Sequence, residues 1–399
     1  MSELITCGSA REILNAQRFD YGDEILALTQ VLGKVLAEPI VADRDQPPFD
    51  RVAMDGIAIH YPAYAAGQRF FGREGVQAAG QPAKPLFGVN RCIEVMTGAA
   101  LPGGCTTVIR YEDLEEEGGG FHAPEGIKDN QNIHPRGKDA QAGEELAPAG
   151  RLIGVPEIGM LASCGYAKVR VRTIPRIAVI TTGDELVPPG EKPAEHQIRM
   201  SNLYQLNELL GKNGFTVASG MHVIDDPSAL HEILGQCIEE HDVIILTGGV
   251  SKGKFDYVPD VLSELGIERL FHGVAQRPGK PLWIGRNADT MVFGLPGNPQ
   301  SSLSCCLAYV LPFLHRQIGL EANKQFAKLA RDVAFKPDLT LFAYVAVSSD
   351  AQTGELLATP VKHAGSGDAS SLLRGNAFME LPQGQSVYRA GEVYEVRYL

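Results

Sequence analysis

The chain has 399 residues, of which 44% are apolar, and carries a formal net charge of −12 at pH 7. At about 100 to 200 residues per domain this length predicts two to four domains, and no apolar run approaches the roughly 20 residues of a membrane span. The acidic balance excludes a nucleic-acid or anionic-membrane surface, which needs a concentrated basic face, so any anionic ligand must be held locally.

In chain order, residues 10–40 read as a helix followed by extended chain. Residues 46–141 are rich in Gly and Pro and contain short strand-like runs at 91–96 and 108–110, which predicts a β-rich lid domain. Residues 143–171 read as strand, helix, strand, and their pairing with the N-terminal flank predicts a discontinuous linking domain over 1–45 and 142–173. From 174 to 320 apolar strands alternate with amphipathic helices, the pattern of a doubly wound α/β core. Leu203, Leu206, Leu209 and Leu210 form a helical apolar stripe, and Asp226 before Pro227 is a helix start. Beyond 321 the short strands and turns predict a small β-barrel.

The N-terminal stretch lacks a basic segment, an apolar segment and a small-residue cleavage site. The seven cysteines are scattered without CxxC spacing and read as reduced core thiols. The expected compartment is the cytoplasm.

Two glycine loops carry the strongest chemical signal. Thr247-Gly248-Gly249-Val250-Ser251-Lys252-Gly253 follows the apolar run 242–246, and Gly294-Leu295-Pro296-Gly297-Asn298-Pro299 follows 291–293. Glycines at the carboxyl ends of buried parallel strands let backbone N–H groups approach a phosphate closely, and Ser251, Lys252 and Asn298 add side-chain donors. The bland alternative for each loop is a tight turn that needs positive φ.

Acidic residues gather at loop positions: Asp55, Asp139, Asp184, Glu185, Asp225, Asp226 and Asp256. Carboxylates beside anion loops suit magnesium, which would bridge them to an otherwise repelled anion. Capping of helices or turns is the alternative for Asp184 and Asp226. Asp55, inside the apolar run VAMDGIAI, would leave a charge near a core unless it serves a ligand or a hairpin turn. Arg277-Pro278-Gly279-Lys280-Pro281 places two cations on a proline-stiffened loop, suited to a phosphate or oxyanion. The ten histidines lack zinc-ligand spacing, and no GxSxG elbow or paired nucleophile occurs, which disfavours covalent catalysis.

Taken together, PPFDRVAMDGIAI, IEVMTGAALPGG, NIHPRGKDAQAGEEL, TTGDELVPPG, DVIILTGGVSKGKFDYV, RPGKP, GLPGNPQSSL, GSGD and NAFMELP resemble the molybdopterin molybdenumtransferase family, which includes bacterial MoeA proteins and the E domain of gephyrin. The resemblance covers essentially the whole chain. It implies an elongated four-part subunit, a homodimer, and a site between the α/β domain of one subunit and the lid of the other. It implies a reaction in which adenylylated molybdopterin and molybdate bind, AMP leaves, and molybdenum is placed on the dithiolene sulfurs.

By the same resemblance Gly248, Gly249, Ser251, Gly297 and Asn298 cradle phosphate or pterin, while Asp184, Glu185, Asp225 and Asp256 form the acidic, magnesium-binding cluster. Asp55, Thr97 and Asp139 take lid-side catalytic positions, Arg277 and Lys280 hold phosphate or molybdate, Pro296 and Pro299 shape the molybdate pocket, and Ser366 contacts it from the C-terminal domain. The chain departs from the family pattern at Met200, where an acid is usual, at Lys254 in place of an acid, at Gly273 in place of a lysine, and at Arg277 in place of a lysine. Two alternative functions are a molybdopterin adenylyltransferase, which shares the glycine loop, and a catalytically weakened pterin-binding scaffold. The resemblance also allows a contact with the molybdopterin adenylyltransferase as partner.

Overall fold

The computed structural model describes residues 4–250, 256–321 and 324–399, which fall into two compact units. One comprises residues 26–32 and 36–169, the other the remaining described residues.

The first unit is built on a six-stranded sheet of β1 (Gly56–Ile59), β2 (Phe70–Gln77), β3 (Arg91–Val95), β4 (Thr107–Arg110), β5 (Glu115–Glu117) and β6 (Gly120–His122), in the order β4-β1-β3-β2-β6-β5. Both faces of β1 are covered: Ile57 and Ile59 join Phe71, Ile109 and Phe121 on one side, and Ala58 joins Val52, Ile93, Val95 and Val108 on the other. That two-sided burial explains the unbroken apolar run GIAI. Gly56 is required where it stands, because a Cβ there would lie 1.8 Å from the Ile109 carbonyl oxygen on β4. Within the same unit Ile40–Val41 pairs antiparallel with Glu145–Ala147, joining the two flanks of residues 46–141.

The second unit holds a six-stranded sheet and a barrel. The sheet comprises β7 (Ile177–Thr182), β8 (Val217–Val223), β9 (Val243–Thr247), β10 (Glu268–His272), β11 (Trp283–Arg286) and β12 (Met291–Leu295), in the order β8-β7-β9-β12-β11-β10. The first four are parallel, and β11 runs antiparallel to both its neighbours. Helix Asn202–Lys212 buries the stripe read from sequence, Leu203, Leu206, Leu209 and Leu210, in the larger core cluster. On the opposite face helix Pro227–Glu240 contributes Leu230, Leu234 and Cys237. Asp226 caps that helix, its Oδ1 accepting from the Ser228 and Ala229 N–H groups at 3.0 Å each.

The C-terminal part closes on itself. Strands β13 (Gln325–Leu329), β14 (Thr340–Ser349), β15 (Leu356–Pro360), β16 (Ala377–Leu381) and β17 (Val393–Tyr398) pair in the cycle β14-β15-β13-β17-β16-β14. Its core includes Leu329, Val345, Met379, Leu381 and Tyr388. A short strand, Gln276–Arg277, adds to the barrel sheet in parallel with β14.

Candidate active site

At the carboxyl ends of β7, β9 and β12 lies a cavity of 1210 Å³, where ligands of doubly wound folds bind. Thr247 and Leu295 are paired in register at the ends of adjacent parallel strands, so the two glycine loops leave the sheet side by side. They are also stapled together. The Gly248 N–H donates to the Leu295 carbonyl at 3.2 Å. The Asn202 Nδ2 donates to Thr247 Oγ1 at 2.8 Å and to the Gly297 carbonyl at 2.7 Å.

Gly248 and Gly249 have φ of +99° and +64°, and a Cβ on Gly248 would lie 2.5 Å from the Thr182 carbonyl oxygen. The tight turn and the cradle are therefore one feature: glycine lets the loop approach β7 while lining the cavity. The Gly248 N–H is itself held by Leu295, so Gly248 contributes to the shape of the loop rather than a free donor.

Gly249, Pro296, Gly297, Asn298 and Pro299 all line the cavity, and so do Glu185, Asp225 and Asp256. Asp225 accepts a hydrogen bond from the Thr182 hydroxyl. Asp184 is exposed and is not among the residues lining the cavity; its Oδ1 accepts the Asp225 N–H at 3.0 Å, which braces the loop that carries Asp225. Among the described residues no group of three or more His, Cys, Asp or Glu side chains forms a preassembled metal cage.

Arg277 and Lys280 are exposed and line the cavity from a turn whose outer edge meets the barrel. Phe335, Leu339, Leu341 and Phe342 supply an apolar wall there. Ser366 also lines it; its Oγ pairs with Asn298 Nδ2 at 3.1 Å, and its carbonyl accepts the Gln300 N–H at 3.2 Å. The C-terminal segment is thus tied to the second glycine loop through Ser366, and Gln300 Nε2 adds bonds to the Asp368 carbonyl at 3.0 Å and Ser371 Oγ at 2.7 Å. Ser251, Lys252 and Lys254 lie outside the described residues.

Met200 lines the cavity while packing, 7% exposed, into the larger apolar cluster. Gly273 is not part of the cavity wall; its φ of +98° strains any side chain, and a Cβ there would lie 2.8 Å from Leu4 Cδ2, so the lysine of the family pattern would need the backbone and the Leu4 tip to shift. Sequence reasoning gave no role to Asn202 or Thr182. Asn202 closes the segment 197–202 that carries the departure at Met200, and that position was its available signal.

Asp55, Thr97 and Asp139 belong to the other unit. Asp55 is exposed just ahead of β1, clear of the core that the apolar run around it enters, and its Oδ1 accepts from the Thr97 N–H at 2.6 Å and the Thr97 hydroxyl at 2.8 Å. Those bonds, the backbone one foremost, hold its carboxyl below the usual aspartate range. Asp139 Oδ1 lies 2.8 Å from His134 Nε2. Thr97→Val removes the hydroxyl bond, and the Asp55 carboxyl is expected to titrate at higher pH. A carboxyl-carbon NMR titration reads this directly, and an unmoved midpoint would show that the hydroxyl contributes nothing.

Residues 5–165 match the MoeA N-terminal region (domain I and II), residues 178–316 a probable molybdopterin binding domain, and residues 327–399 the MoeA C-terminal region (domain IV). The chain is 40% identical over 395 residues to the molybdopterin molybdenumtransferase of Synechocystis sp., covering 98% of this chain and 99% of that protein. This chain belongs to the molybdopterin molybdenumtransferase family. The family's member in Staphylococcus aureus strain Mu50 is 30% identical over 376 residues, covering 93% of this chain and 90% of its own length. Two crystal structures of a molybdopterin biosynthesis MoeA protein from Pyrococcus horikoshii superpose with TM-scores of 0.86 and 0.83, at 29% and 28% identity. Those comparisons cover 99% of both chains and 100% of both chains respectively. The chain is an enzyme of the molybdenumtransferase family with the MoeA-type multidomain α/β fold, and both glycine loops lie in the stretch matched to the probable molybdopterin binding domain.

Proposed function

We propose that this chain inserts molybdenum from molybdate into adenylylated molybdopterin, with Mg2+ required and AMP released. The observation that carries the reading is the convergence, on one cavity, of two stapled glycine loops, three carboxylates and two exposed cations. Glycine loops at strand ends suit a phosphate, and Arg277 and Lys280 suit a dianionic oxyanion, which an acidic protein has to hold with local charge. The apolar barrel wall suits a flat heteroaromatic ring.

Magnesium fits the donor set. Glu185, Asp225 and Asp256 offer hard oxygen ligands, and Mg2+ is commonly held by one or two carboxylates with phosphate and water completing its sphere, so no preassembled protein cage is needed. When bound, the ion would supply charge neutralisation at the phosphoanhydride. Arg277 and Lys280 hold the oxyanion and offset the charge that develops on the departing phosphate. Asn298 orients the phosphate end from the second loop.

The reading takes a four-part subunit in a cytoplasmic homodimer, with Asp55, Thr97 and Asp139 serving from the lid. Asp55→Asn is expected to leave the melting transition in place and lower turnover by about 10²-fold. The test is Mg2+-dependent AMP release from adenylylated molybdopterin on purified protein, with and without molybdate, beside that variant. Release stimulated by molybdate and lost in the variant supports the reading. Adenylylation of free molybdopterin, or tight pterin binding without AMP release, would instead identify an adenylyltransferase or a binding scaffold.

A further inference from the structure

We propose that Gln276, buried beneath the Arg277–Lys280 turn and clamped by Tyr309, is a positioning residue that sets the separation of the two cations binding the oxyanion. The proposal rests on the reading of Arg277 and Lys280 given above. Gln276 stands in the cavity wall yet has no accessible surface, and its side-chain amide is engaged by protein groups, so its effect on a ligand runs through the turn it supports.

Its amide is satisfied on every side. Nε2 donates to the Gly279 carbonyl at 3.0 Å and to Cys305 Sγ at 3.3 Å. Oε1 accepts from the Tyr309 hydroxyl and from the Cys7 thiol, the latter at 3.5 Å. A carbonyl only accepts, so the Gly279 contact fixes which amide atom is nitrogen and leaves a single orientation for the group. A fully satisfied buried polar network specifies one geometry, because any displaced member leaves an unpaired group in a dry interior.

The turn fits this clamp closely. Gly279 has φ of +92°, and a Cβ there would lie 2.5 Å from Cys305 Sγ and 2.7 Å from Gln276 Nε2. The backbone thus rests directly on the clamp, one residue before Lys280 and two after Arg277. Tyr309 comes from a single π-helical segment, Cys306–Val310, set between the helices Pro299–Cys305 and Leu311–Gln317. Such one-turn π segments are rare and recur at functional sites. Here the segment places a hydroxyl under the turn. Gln276 carried no assignment from sequence.

The experiment measures AMP release as a function of molybdate at saturating adenylylated molybdopterin, and the reverse titration, for the wild type, Gln276→Met, Tyr309→Phe and Arg277→Ala. Methionine keeps the volume of Gln276 and removes all four bonds. Phenylalanine keeps the Tyr309 ring and removes one. The expected result is a KM for molybdate raised about tenfold by Gln276→Met and about threefold by Tyr309→Phe, with the KM for the pterin substrate within about twofold of wild type. If Gln276→Met fails to fold, Tyr309→Phe carries the test alone. A molybdate KM unchanged in the clamp variants while Arg277→Ala raises it overturns the proposal, and so does an equal rise in both KM values. An unchanged molybdate KM in Arg277→Ala overturns the reading of the cations themselves, and the proposal with it.

Discussion

Lys280→Ala is expected to lower kcat/KM for molybdate-dependent AMP release by about 10² to 10³-fold, the size of effect seen when one preorganised donor is removed from a developing oxyanion. The side chain is exposed and lines the cavity, while its carbonyl accepts the Val274 N–H at 2.9 Å. Truncation at Cβ therefore deletes the charge and leaves the turn's backbone bond intact. Lys280→Arg should recover part of the loss, since charge returns with altered donor geometry. Activity in the alanine variant equal to wild type would remove Lys280 from the oxyanion site.

Glu380→Gln is expected to cost about 3 kcal/mol of stability and to lower the melting transition by several degrees. Glu380 Oε2 lies 2.6 Å from Arg11 and 3.4 Å from Arg397, and both arginines have an Nε that is buried without a partner among the described residues. Arg397 keeps Glu395 at 2.7 Å, whereas Arg11 loses its carboxylate. Burial pushes the Glu380 carboxyl up, but Arg11 and Arg397 outweigh it and bring it below the usual glutamate range. A carboxyl depressed in the folded state contributes stability that is complete above the unfolded value of about 4.3 and is lost as pH falls through the folded value. The difference between wild type and variant should accordingly be largest near neutral pH and shrink under acid. Equal melting at pH 7 would show the cluster to be energetically neutral.

What the sequence disclosed was local. The leucine stripe at 203–210, the Asp226 cap and both glycine loops each depend on residues within a few positions of one another, so periodicity and turn chemistry expose them. The cation turn was visible for the same reason. Asn202, Gln276 and Tyr309 were not, because their partners are remote in the chain: Asn202 reaches Gly297 across 95 residues, and Cys7 reaches Gln276 across 269. An amide in an apolar stretch looks like any polar interruption until folding brings its acceptor to it. For Asp55 the sequence left a ligand role and a turn open; the apolar letters after it belong to a strand that begins one residue later, while its own side chain is exposed.

The strand Gln276–Arg277 has its parallel partner on β14 of the barrel, with Gln276 opposite Thr340 and Arg277 opposite Leu341. A chain shortened to its α/β portion would keep both glycine loops and yet strip this ladder from the strand that leads into the cation turn. On the proposed reading the barrel therefore has two parts in one cavity: it supplies the apolar wall, and its ladder holds the strand that leads into the cation turn.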